Sequence, residues 1–200
     1  WPIACLVGCM LTVLVIDESR SRAGEICAGL ALAGHQVAAI LAGADNLTAE
    51  VERLQPDVIL IDTDSPSRDT LENLAVMNKA MPRPVVISTQ EEGQASMRDA
   101  FRAGVSAYVV DGLDPKRIKP IVEVARARFE DTQALRRELD DISKKLTDRK
   151  LVDKAKGVLM KARGLDEEAA YHAMRKLAME RGQTIAKVAR DVIDMARVLL

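Results

Sequence analysis

The chain has 200 residues, 48% apolar and 30% charged, with a net charge of −1. That is long enough and apolar enough for one large or two small packed domains, and it excludes an intrinsically disordered chain. The charge is unevenly spread, with 8 Lys and Arg against 16 Asp and Glu in residues 1–114 and 21 against 14 in residues 115–200, so an acidic input unit followed by a polyanion-binding unit is expected.

The first nine residues, Trp1 to Cys9, are apolar, carry no charged leader and are too short to span a membrane. Met10 reads as the natural start, with the preceding residues a leftover or a misassigned upstream segment; a truncated signal peptide is the alternative. No other stretch reads as a membrane span, so no membrane partner is expected. Cys5, Cys9 and Cys27 make neither a disulfide framework nor a four-ligand zinc site, which fits a reduced, cytoplasmic setting.

From residue 11 to residue 114, apolar runs alternate with helical patterns. Strands are predicted at 11–16, 36–41, 58–61, 85–88 and 107–110, and helices at 21–33, 47–54, 68–80 and 93–103. Such alternation gives a parallel sheet covered on both faces, with the functional crevice beyond the carboxyl ends of its strands. Asp17 and Glu18 follow the first strand, Asp62 the third and Thr89 the fourth. Three carboxylates converging on one spot repel one another and call for a divalent cation, so Asp17, Glu18 and Asp62 are candidate ligands for Mg2+. A metal-bound carboxylate beside a hydroxyl suits phosphoryl transfer. For any one of these residues a turn or helix-capping role would suffice; the ordered set argues for a pocket. His35, in a helix-to-strand turn, reads as a surface residue.

Between residues 114 and 148, Asp114 can cap a helix with Pro115 in its first position. Leu135, Leu139, Ile142 and Leu146 follow at spacings of four, three and four, a coiled-coil seam of about two heptads. The seam predicts a homodimer; an amphipathic helix lying on its own chain is the other reading.

The last stretch holds the clearest functional signal. With residues 150–162 as a helix, Leu151, Ala155, Val158, Leu159 and Ala162 form a buried stripe. Lys150, Lys154, Gly157 and Lys161 form a separate line. The lysines attract phosphate and the glycine lets a polynucleotide backbone approach closely. Gly164 can end this helix, Asp166 can cap a second with Ala170, Ala173, Met174 and Leu177 inward, and Gly182 can end that one. Thr184 can cap a third, with Ile185, Val188, Ala189 and Val192 inward. Tyr171 and His172 on the second helix are candidates for base contact, although a Tyr-His pair is more often partial core; Met160, Met174 and Met179 read as packing residues. With no glycine-rich phosphate loop, no Ser-His-Asp set and no His-rich site, the chain is not expected to be an enzyme.

Lys154 to Met160, then Gly164, the Ala169-Ala170 pair, Leu177-Ala178 and Ala186 to Ala189, resemble the ANTAR domain. The resemblance implies a three-helix bundle at 149–200 that binds hairpins in leader mRNA and prevents terminator formation. Its implied RNA-binding residues are Lys150, Lys154, Lys156, Gly157, Lys161 and Arg163, helped by Arg175, Lys176 and Lys187. Residues 11–118 resemble the receiver domain of two-component response regulators. That implies an α/β, flavodoxin-like fold with a five-stranded parallel sheet of order 2-1-3-4-5, followed by a coiled-coil linker helix at 119–148. Asp17 and Glu18 match the receiver's acidic pair, Asp62 its phospho-acceptor, Thr89 its switch hydroxyl and Tyr108 its switch aromatic. The lysine that follows the fifth strand in that family is replaced by Asp111, and Gly112 follows. An acid there adds repulsion where negative charge must be held, so the fold reads as a receiver reused for protein docking.

Residues 62–70 and 105–113 resemble most the nitrate-assimilation antiterminators of the ANTAR family. That implies an inhibitory nitrate/nitrite-sensing partner protein and control of nitrate and nitrite assimilation genes. Amide-responsive antiterminators are the neighbouring subfamily. A phosphorylation-dependent, DNA-binding response regulator and a protein-only adaptor are the other readings.

Overall fold

The computed structural model describes residues 10–17, 19–90 and 93–199. The apolar leader at 1–9 and the acidic candidate Glu18 lie outside the described residues. The chain divides between Gln133 and Ala134 into two compact units.

In the first unit five strands form one parallel sheet: β1 (Thr12–Asp17), β2 (Gln36–Leu41), β3 (Val58–Thr63), β4 (Val85–Thr89) and β5 (Ala107–Val110). Their order is β2-β1-β3-β4-β5, as the receiver resemblance implied. The crossovers are α1 (Arg20–Leu32), α2 (Leu47–Leu54), α3 (Arg68–Ala80) and α4 (Gln94–Arg102); α5 (Ile118–Arg163) follows β5. The two-residue period of a strand sends alternate side chains to opposite faces. Leu14, Ile16, Ile59, Ile61, Val85 and Ile87 therefore pack with Leu47, Val51, Leu74, Met77 and Ala100 on one side. Val13, Val15, Val58, Leu60 and Val86 pack with Ile26, Leu30, Ile118, Val122 and Ala125 on the other. Burial on both faces explains why the central strands read as unbroken apolar runs.

Most predicted elements stand within a residue or two of their expected ends, and the first strand begins at Thr12 rather than Leu11. Asp114 caps a turn, its Oδ1 accepting from the Lys116 amide at 2.9 Å, before the helix proper starts at Ile118. A Cβ on Gly29 of α1 would lie 2.5 Å from Ile118 Cδ1 and 2.9 Å from Pro115 Cα, so bare backbone is required at that contact. His35 departs from the surface role expected of it. Both ring nitrogens are buried, and desolvation, followed by the nearby Lys119 charge, lowers its pKa.

In the second unit the last part of α5 packs with α6 (Glu167–Glu180) and α7 (Ile185–Leu199). Ala155, Met174, Ala178, Val188, Ala189 and Ile193 are its buried core, with Leu151, Leu159, Leu177, Ile185 and Val192 packed around them. The punctuation is as expected. Gly164 and Gly182 adopt φ of 66° and 59°. Asp166 accepts from the Ala169 amide at 2.7 Å, and Thr184 from the Lys187 amide at 3.3 Å. Three assignments change. Ala162 and Ala173 are exposed: Ala162 stands in the last turn of α5, and Ala173 lies at the edge of its helix's apolar arc. Met160 and Met179 are 40% and 74% exposed, so of the three methionines only Met174 packs inside. Tyr171 and His172 are exposed rather than partly in the core, their rings meeting edge to face at 6.2 Å.

Candidate receiver pocket and nucleic-acid interface

The parallel register sets the carboxyl ends of three strands side by side: Asp17 opposite Asp62, Asp62 opposite Ser88, and Thr63 opposite Thr89. Asp17 and Asp62 are buried, at 4% and 7% exposure. Thr89 is buried too, and its hydroxyl donates to the Asp64 carbonyl at 2.8 Å. Tyr108 packs against the core with its hydroxyl buried. Asp111 is exposed, in left-handed backbone at φ 65°, followed by Gly112 at φ 79°.

A residue absent from the expected set enters this pocket. Arg22, in the first turn of α1, brings its Nε to 3.2 Å from Asp62 Oδ2 and 3.9 Å from Asp17 Oδ1. Its Nη1 donates to Asp64 Oδ1. One guanidinium thus faces three carboxylates, and the Asp64 hydrogen bond is the chief reason it is held firmly charged. Asp17 Oδ1 also accepts from the Ser19 amide at 2.6 Å, whereas Asp17 Oδ2 is buried with no hydrogen-bond partner among the described residues. Burial is the main cause that raises the Asp62 pKa; Asp17 and Asp64 add to it, and the Ser88 hydroxyl and Arg22 oppose it. A faint signal for Arg22 was present in the sequence. Cations in the first turn run against the helix dipole, so an arginine there needs a local anion.

Of the three expected Mg2+ ligands, only Asp17 and Asp62 are among the described residues. Among the described residues no three His, Cys, Asp or Glu side chains are placed to hold a metal ion. The guanidinium stands at ion-pair distance from both Asp17 and Asp62 instead.

On the second unit the line of Lys150, Lys154, Gly157 and Lys161 lies along α5. All three lysines are exposed, and a Cβ built on Gly157 meets nothing within 4 Å. The open approach that the glycine predicts is therefore present. Turned by about 100° per residue, Lys156 and Arg163 fall on a different side of the helix. Lys156 is an internal clamp: its Nζ lies 2.7 Å from both Asp153 Oδ1 and Glu167 Oε1, joining α5 to α6. The Asp153 bond, then the Glu167 bond, raises its pKa. Arg163, Arg175, Lys176 and Lys187 are exposed, with Lys176 near Glu180 at 4.0 Å and Lys187 near Asp191 at 2.9 Å. The seam residues Leu135, Leu139, Ile142 and Leu146 are 62%, 66%, 55% and 53% exposed, one apolar row on the same helix.

Comparison with known proteins agrees with both halves. Residues 140–193 match the ANTAR domain family. The chain is 26% identical to the transcriptional regulatory protein PdtaR of Mycobacterium tuberculosis over 182 residues, 91% of this chain and 89% of that protein. It is 36% identical to the nitrate regulatory protein of Klebsiella oxytoca over 85 residues, 42% of this chain and 22% of that one. In structure it resembles a CheY-like response regulator receiver domain protein of Methanospirillum hungatei, at 19% identity and a TM-score of 0.54 over 62% of this chain and 99% of the other. The chain thus joins a receiver-like, flavodoxin-type fold of five parallel strands to a C-terminal segment, residues 140–193, that matches the ANTAR domain family.

Proposed function

We propose that this protein is an RNA-binding transcriptional antiterminator that grips a hairpin in a leader transcript through the Lys150–Lys154–Gly157–Lys161 face of α5. The observation that carries the reading is the open ground over Gly157, flanked by three exposed lysines inside the matched ANTAR domain. Ammonium groups attract phosphate without reading sequence, and a missing side chain lets the ribose-phosphate chain come close. Occupying a hairpin prevents the competing terminator stem from pairing, which is a competition between RNA structures and needs no catalysis. Arg163, Arg175, Lys176 and Lys187 supply charge around this line.

The apolar row of α5 supports a homodimer, because four exposed large side chains at heptad spacing find their complement in a second copy. The stretch shared with the nitrate regulatory protein supports control of nitrate and nitrite assimilation genes, with an inhibitory nitrate/nitrite-sensing protein as the input partner.

The test is a filter-binding comparison of the full chain on a stem-loop RNA library and on duplex DNA of matched composition. Preference for stem-loop RNA is expected, and exchanging Lys154 and Lys161 for Glu should abolish it while the circular dichroism spectrum is retained. Preference for the duplex would instead support a DNA-binding response regulator. Retention of full RNA affinity by the double variant would remove this face from the interface.

A further inference from the structure

The acidic pocket of the first unit brings its own cation. Three aspartates, Asp17, Asp62 and Asp64, converge from two strand ends, and Asp17 and Asp62 are nearly closed off from solvent. Buried like charges repel strongly when nothing offsets them. Here one side chain reaches all three. Its Nε lies against Asp62 and Asp17, and its Nη1 holds Asp64. The guanidinium is planar and keeps its charge throughout the accessible pH range, which suits bridging several carboxylates at once. The first two positions after β5 are Asp111 and Gly112, so no cation stands directly at the end of that strand. Thr89, the hydroxyl at the end of β4, is turned to the Asp64 carbonyl, so its proton is already placed.

We infer that Arg22 is a tethered counter-ion that keeps the Asp17/Asp62/Asp64 pocket closed to divalent cations, so that this unit works without binding Mg2+. A free ion competes with a side chain that is already attached and already oriented, and must both displace the guanidinium and shed its own water. Without Arg22, Asp62 Oδ2 would lose its ion pair, and Asp17 Oδ2 is buried without a hydrogen-bond partner among the described residues. Both oxygens would then lack a counter-charge, and carboxylate oxygens are the donors a hard cation takes. Removing one arginine should therefore create a magnesium site where the parent chain has none.

The experiment titrates the full-length chain with MgCl2 at constant ionic strength, following heat of binding and melting temperature. The wild-type chain should give no saturable heat across the millimolar range and no change in melting temperature. Arg22→Ala should bind Mg2+ saturably, at least about tenfold more tightly than the limit set by the wild-type titration, and its melting temperature should rise with added Mg2+. Arg22→Gln, which keeps the length and loses the charge, should behave the same way and carries the test if the alanine variant does not fold. Arg22→Lys, which restores a cation, should return the pocket towards the closed behaviour. Saturable Mg2+ binding by the wild-type chain at the affinity of the variants overturns the inference, and so does the absence of any gain in both neutral variants. The wild-type chain treated with acetyl phosphate and MgCl2 should keep its intact mass; a phosphoryl group on Asp62 overturns the inference as well.

Discussion

At the scale of single residues, Gly157 separates a structural role from a functional one. A helix-interior glycine costs roughly 1 kcal/mol relative to alanine, and nothing within 4 Å would obstruct a methyl group here. Gly157→Ala should therefore raise the stability of the chain by about 0.5–1 kcal/mol in a denaturant melt. If the bare backbone serves the polynucleotide, the same substitution should weaken hairpin RNA binding by about tenfold, or ~1.4 kcal/mol, in a filter assay. Gain in both would mean that the glycine has no part in binding. Asp62 gives a second test through pH. Burial raises its pKa in the folded chain, so between the unfolded and folded values the native state holds more protons and stability falls as pH rises. Above that window the ionised carboxylate is a standing cost. Asp62→Asn should melt higher than wild type at neutral pH, by roughly 2–4 °C for each kcal/mol relieved. The difference should shrink as the pH drops through the carboxylate range. A lower melting temperature at neutral pH would show that the Arg22 ion pair outweighs the burial.

At the scale of elements, α5 carries two stretches with different duties: the apolar row from Leu135 to Leu146 and, further along, the lysine line with its glycine. All four row residues are more than half exposed, so replacing them leaves the cores of this chain intact. Leu139→Glu combined with Ile142→Glu should convert a dimer to a monomer in sedimentation velocity, with helix content unchanged, because like charges would then sit in the seam. An unchanged sedimentation coefficient would exclude this row as the subunit contact. Element boundaries were largely legible in the sequence because local signals set them. Proline and glycine bracket the strands, and Asp166, Thr184, Gly164 and Gly182 punctuate the terminal helices as their chemistry dictates. The exposed Ala162 and Ala173 show where periodicity gives less, since alanine is tolerated on either side of a helix and fixes no face.

At the scale of the molecule, the placing of Asp17, Asp62 and Thr89 at strand ends could be expected from the order of apolar runs and acids, and the sheet order from the receiver resemblance. The pairings of the two pivotal cations could not. Arg22 meets Asp64 across 42 positions of sequence, and Lys156 meets Glu167 around the Gly164 turn. Neither pairing leaves a periodic trace, because a single long side chain reaching across a fold follows no repeat. The Lys156 clamp also bears on how nucleic-acid binding would look in solution. Polycation association is driven largely by small ions liberated from the polymer, and each lysine that neutralises a phosphate liberates about one. Lys156 already has two carboxylate companions, so it liberates none. The salt sensitivity of complex formation would accordingly register one positive group fewer than this stretch of sequence contains.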